Sequence, residues 1–121
     1  MEEPNNTANV IDLEYIRTFS DGDEDFVREM VELFSEKIPT EVKELNDSVA
    51  EENWERAYKA THDLKSSTSF VGMEYLRKDV LELERCTKFT QDLELVPTLV
   101  EKISQECEKA AKELKEVIGT L

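Results

Sequence analysis

His62 is the only histidine of the chain, and it stands in the run Ala60-Thr61-His62-Asp63-Leu64-Lys65-Ser66-Ser67, ahead of Gly72. Imidazole is the one side chain that is plentiful as a neutral nucleophile near neutral pH. A single one builds neither a multi-histidine metal site nor a two-histidine acid–base pair. It can attack an electrophile that a partner brings to it. On a helix, Lys59 and Lys65 would lie next to it, three residues away on either side, with Tyr58 one turn back, Ser66 one turn on and Ser69 two turns on. Such a setting suits an anion on the imidazole: ammonium groups offset its charge, and small hydroxyl residues let another protein come close.

Other chemistries lack their parts. Two lysines are the wrong company for a metal, which wants carboxylates and further imidazoles, so no metal site is expected. The acidic residues are spread over solvated helix positions instead of forming a glycosidase-type pair. There is no Gly-x-x-x-x-Gly-Lys loop to hold a nucleotide. Cys86 and Cys107 fall in helical patterns without Cys-x-x-Cys spacing and read as small buried hydrophobes of a reducing compartment.

The net charge is −14, which argues against nucleic acid as a partner. The charge is also uneven. Residues 1–52 hold 4 basic and 16 acidic side chains and residues 91–121 hold 4 and 7, but residues 53–90, around His62, hold 7 and 6. The near-neutral middle marks a docking face that tolerates an anion. No apolar run approaches the roughly 18 residues of a membrane span, and the start Met1-Glu2-Glu3-Pro4 lacks the basic and apolar regions of a signal peptide. The reading is a soluble, cytoplasmic protein. Its Met1 start and its length fit a free-standing protein better than a module cut from a larger one.

Elements that could position His62 are set out by periodicity. Gly and Pro number only 3 each, so long helices are favoured. Residues 1–10 read as a flexible N-terminus and 11–121 as one domain. Ile11, Leu13, Tyr15, Ile16 and Phe19 suggest a short amphipathic helix, closed at Ser20-Asp21-Gly22. Phe26, Met30, Leu33/Phe34, Ile38, Val42, Leu45 and Val49 form the stripe of a long helix, with a kink or break expected at Pro39. Asn53 is a suitable N-cap for a third helix over about 54–71 that carries His62, and Gly72 a turn or C-cap. A fourth helix runs from about Met73 to Cys86 or beyond, with Leu76, Val80 and Leu83 inward. The last, starting near Pro97, turns Leu95/Val96, Leu99/Val100, Ile103, Cys107, Ala110/Ala111, Leu114 and Val117/Ile118 to the core. The fold class is all-α: an antiparallel four-helix bundle with a short additional N-terminal helix.

A wheel of roughly 100° per residue splits the third helix into two faces. Ala57, Ala60, Leu64, Thr68 and Val71 share one; His62 lies nearly opposite, flanked by Glu55, Tyr58, Lys59, Lys65, Ser66 and Ser69. Lys65 should point outward. Ser67 lies nearer the core edge and should bond locally, a structural role.

These residues resemble the pattern of the histidine-containing phosphotransfer (HPt) domains of phosphorelays: His62-Asp63-Leu64-Lys65-Ser66-Ser67-Thr68, then Gly72, Leu76 and Leu83-Glu84. Gly22-Asp23-Glu24-Asp25-Phe26, opening a long helix, is also similar, and the resemblance covers about residues 11–118. It implies that His62 accepts a phosphoryl group from the aspartyl phosphate of one receiver domain and passes it to another. It further implies charge stabilisation by Lys65, with Lys59 secondary, and docking over Tyr58, Lys59, Ser66 and Ser69. Ser66 stands where the family often has Gly, and Gly72 reads as a turn requirement. The implied partners are response-regulator receiver domains, that of a hybrid histidine kinase among them. The receiver would bring the Mg²⁺, so the chain needs no cofactor and is a monomeric carrier without an enzyme's own active site. Two other readings compete: a helical adaptor that binds without transfer, and a phosphoacceptor domain served directly by a histidine kinase core.

Overall fold

The computed structural model describes residues 10–121; of the flexible terminus expected over residues 1–10, all but Val10 lies outside them. Five helices make up the fold of the described residues: α1 (Leu13–Ser20), α2 (Glu24–Ala50), α3 (Trp54–Phe70), α4 (Arg77–Phe89) and α5 (Val96–Ile118). Short 3-10 turns, Glu74–Leu76 and Leu93–Leu95, lead into α4 and α5. Contacts across the helix pairs give the directions. Phe34 stacks on Phe70 while Glu44 pairs with Arg56, so α2 and α3 run antiparallel. Glu84 meets His62 while Lys88 lies over Tyr58, Asp79 pairs with Lys102 while Tyr75 bonds Glu106, and Asn46 bonds Ser104. The result is the antiparallel four-helix bundle of α2–α5, with α1 packed on α2.

Local chemistry sets the boundaries. Asp12, Asp23 and Asn53 each accept backbone N–H bonds at the first turns of α1, α2 and α3, caps that stabilise a helix by about 1 kcal/mol apiece. Pro97 sits in the first turn of α5, where its missing N–H costs nothing. The cap of α2 is thus Asp23, one residue beyond the Ser20-Asp21-Gly22 turn. Val10, grouped by its sequence with the polar terminus, donates its N–H to the Glu113 carboxylate on α5, as does Ile11.

Of the kink or break expected at Pro39, the break does not occur. The helix runs on through Pro39: Pro39 is exposed, while Ile38 and Leu45 on either side are fully buried in the same core, so packing overrides the lost backbone bond. The stripe is also displaced in the first half. Val27 and Val31 are fully buried, whereas Phe26 and Leu33 are 38% and 49% exposed. The true inward face runs Val27, Val31, Ser35, Ile38, Leu45, Ser48. Its two serines bond back to the Glu32 and Leu45 carbonyls, so a polar residue occupies a core position and the apolar spacing misleads.

From α3 onward the inward faces follow the wheel and the apolar spacing, except at Leu95, which was expected inward but lies in the 3-10 turn before α5 and is 40% exposed. Ala57, Ala60, Leu64, Thr68 and Val71 are all buried. The core they join includes Leu76, Val80, Leu83 and Cys86 of the next segment and Val96, Val100, Ile103, Cys107, Ala110 and Leu114 of α5. Both cysteines are free and buried.

Gly72 turns the chain out of α3 with φ +81°, and a Cβ there would come within 2.5 Å of Asp12 Cβ. Asp12 N–H donates to the Val71 carbonyl at 2.9 Å, which holds the two segments this close. Gly72→Ala should therefore lower stability by about 2 kcal/mol, from left-handed backbone strain plus the clash. Urea denaturation reads this directly; an unchanged midpoint would mean that α1 does not seat against Gly72.

Candidate functional site

His62 sits at mid-length on α3, whose apolar half is anchored in the core, so the opposite half has to face out. Its side chain is 53% exposed. The ring is not free, however. Nδ1 lies 3.0 Å from Oε2 of Glu84 on α4, and Lys65 Nζ lies 3.0 and 3.1 Å from the two oxygens of the same carboxylate. Antiparallel packing of α3 on α4 is what brings a residue of each helix to the same level.

A carboxylate only accepts hydrogen bonds, so the Nδ1 atom beside it carries the proton in the neutral ring. Nε2, on the other edge of the ring, is left with the lone pair. The Glu84 carboxylate also favours positive charge on the imidazole as Nε2 forms a new bond, in the manner of a carboxylate behind a catalytic or metal-bound histidine. Burial alone would push the Glu84 carboxyl up. Hydrogen bonds from His62 and Lys65, with the Lys65 charge, outweigh this and hold it below the usual carboxylate range, so Glu84 is anionic at neutral pH.

Lys65 does not point outward as the wheel suggests. Its side chain is 27% exposed and folded onto Glu84, because α4 presents a carboxylate on that flank of α3. Ser67 departs in another way. It is buried, and its Oγ donates not locally but across to Oε1 of Glu41 on α2 at 2.7 Å. Glu41 also meets Lys37 at 3.5 Å. Burial pushes the Glu41 carboxyl up, opposed by the Ser67 bond and by Lys37. Ser67 thus braces α3 against α2 on the side away from Glu84. Gly72 belongs to the helix end and its packing on Asp12.

Of the remaining candidates, Tyr58 lies with its ring 6.1 Å from that of His62. Lys59 and Ser66 are exposed and Ser69 is half-buried. Beyond Ser69 the surface becomes aromatic: Phe70 stacks on Phe19 at 5.4 Å and on Phe34 at 4.7 Å, and Phe19 is 55% exposed.

Sequence reasoning assigned no role to Glu84, although Leu83-Glu84 belongs to the motif. The usable signal was there: with Leu83 inward, Glu84 lies on the flank of α4 that an antiparallel α3 must face. Among the described residues no three His, Cys, Asp or Glu cluster as a metal site. Burial, with Glu41 and Glu106 nearby, pushes the Cys107 thiol up to about 12, and burial raises Cys86 as well, so neither offers a thiolate.

The tautomer gives a measurable expectation. Ring-nitrogen NMR shifts of the neutral protein should report His62 as the Nδ1–H form, and Glu84→Ala should move it toward the Nε2–H form that prevails in free imidazole side chains. The same spectrum in wild type and variant would remove Glu84 from this role.

The comparisons with known proteins fit this geometry. Residues 29–116 match the family model described as "Hpt domain". Histidine-containing phosphotransfer protein B (HptB) from Pseudomonas aeruginosa PAO1 superposes with a TM-score of 0.81 at 17% identity, over 95% of this chain and 99% of that one. The HPT domain from a sensor hybrid histidine kinase of Shewanella gives 0.80 at 15% identity, over 94% and 97%. No curated protein matches the sequence.

Proposed function

Because the chain belongs to the Hpt domain family, we propose that it is a phosphorelay carrier whose phosphoacceptor atom is Nε2 of His62, loaded by the aspartyl phosphate of one receiver domain and unloaded onto another. The observation that carries the assignment to this atom is the 3.0 Å contact of Nδ1 with Glu84 on a half-exposed ring.

In the loading step Nε2 attacks phosphorus, the Nε2–P bond forms, and the bond from phosphorus to the aspartyl oxygen breaks. The electron pair leaves with the aspartate as a carboxylate. The Nδ1 proton stays between the ring and Glu84, so no proton has to travel. Unloading is the reverse on a second aspartate. Phosphoryl transfer depends mainly on positioning and charge neutralisation. Lys65, one turn from the ring, offsets the Glu84 charge that would otherwise oppose the incoming phosphoryl group; the Mg²⁺ and the aspartate belong to the receiver.

The receiver's approach fits the ledge of Tyr58, Lys59, Ser66 and Ser69, and the Phe70–Phe19 stack prolongs it in apolar character. The chain acts as a monomer without an active site of its own, in the cytoplasm. No helix among the described residues is long and apolar enough to cross a membrane.

The test is transfer of label from a phosphorylated receiver. The wild-type chain should take it up as an acid-labile, base-stable product, and His62→Gln should take up none; label on the variant would sink the assignment. Uptake only from an ATP-fed histidine kinase core would favour direct phosphorylation, and binding without uptake the adaptor reading. Lys65→Ala should slow transfer about tenfold with helicity unchanged by circular dichroism. A rate equal to wild type would assign Lys65 a structural part only.

A further inference from the structure

Lys65 is engaged by both oxygens of Glu84, so the pair adds little net positive charge to the face around His62. Besides the exposed Lys59 on α3, a second cation, Lys88, lies on that face near the end of α4. Its Nζ lies 6.0 Å from the ring centre of Tyr58 and 5.4 Å from that of Phe89, and the Tyr58 ring is the one beside His62. Among the described residues Lys88 makes no ion pair, whereas Arg85, one turn away, is tied to Glu82 and Asp92. Phe89 is 57% exposed, more than any other large apolar side chain of the described residues.

In a chain of net charge −14, an ammonium over two ring faces and without a carboxylate partner among the described residues keeps its charge available to a partner. It is continuous with His62 through Tyr58, and it stands beside an apolar side chain that the fold leaves uncovered. Exposed aromatic and cationic residues of this kind are what protein interfaces bury.

We propose that Lys88 and Phe89 extend the receiver-docking surface onto the end of α4 and select receivers that carry a carboxylate next to an apolar side chain at the rim of their phosphorylation site. The inference rests on the phosphorelay reading above and deepens it: His62 does the chemistry, while this corner discriminates among receivers. Lys88 is a specificity-determining residue here and not a catalytic one, since Tyr58 stands between it and the imidazole.

The experiment compares wild type, Lys88→Glu and Phe89→Ala with two phosphoryl donors. One is a purified phosphorylated receiver that labels the wild-type chain; the other is potassium phosphoramidate, a small donor that needs no docking surface. For the receiver, KM should rise about tenfold in Lys88→Glu and about threefold in Phe89→Ala, with kcat changed by less than about twofold. Phosphoramidate should label His62 equally in all three. The increase of the receiver KM with added salt, expected for wild type, should disappear in Lys88→Glu. Equal receiver KM values in all three proteins would overturn the proposal, as would a parallel loss of phosphoramidate labelling, which would tie Lys88 to the reactivity of His62 itself. Failure of the phosphorelay reading looks different: no receiver would then label His62 of the wild-type chain at all.

Discussion

The hydrogen bond from His62 to Glu84 is the constraint on which the site depends. It joins a residue of α3 to a residue of α4 at 3.0 Å, so it exists only while the two helices keep their antiparallel register. That register is set from below by Leu64, Val80 and Leu83, all fully buried, and from the other flank by the Ser67–Glu41 bond to α2. Even Gly72, remote from the chemistry, serves it by letting α1 close over the end of α3. The core sets where the two helices lie, and their lie sets which imidazole nitrogen carries the proton.

Charge obeys the same logic. An acidic protein must place an anion on one histidine without repelling it. The chain concentrates most of its acids elsewhere, and the carboxylate in contact with the ring, Glu84, is neutralised by Lys65 at 3.0 Å. A buried or part-buried carboxylate with two donors is well satisfied, and it acts on the ring through the proton it holds. Part of the positive charge left on this face, Lys59 and Lys88, lies at the rim, where an approaching protein would meet it.

Much of this was legible in the sequence. The order of helices, the cap at Asn53, the start of α5 near Pro97, the inward face of α3 and the outward position of His62 all come from 3.6-residue periodicity and the chemistry of helix ends. The features that stayed hidden have a common cause. Serines at core positions 35 and 48 interrupt the apolar stripe of α2, so Phe26 and Leu33 looked inward when Val27 and Val31 are. Pro39 carries a local penalty that only tertiary packing reveals as tolerable. Lys65, Ser67 and Glu84 have roles set by partners on neighbouring helices, 19, 26 and 22 residues away. A wheel shows which face a residue occupies, but not which side chain arrives from the next helix.

The central claim is that Glu84 holds the Nδ1 proton so that Nε2 is the nucleophile. The most direct measurement is the site of the phosphorus bond in the loaded protein, read from through-bond correlations of phosphorus with the ring nitrogens and carbons of isotope-labelled His62. Phosphorus should be found on Nε2, with Nδ1 still bearing its proton. Phosphorus on Nδ1 would contradict the claim, since that atom is the one pointed at the Glu84 carboxylate.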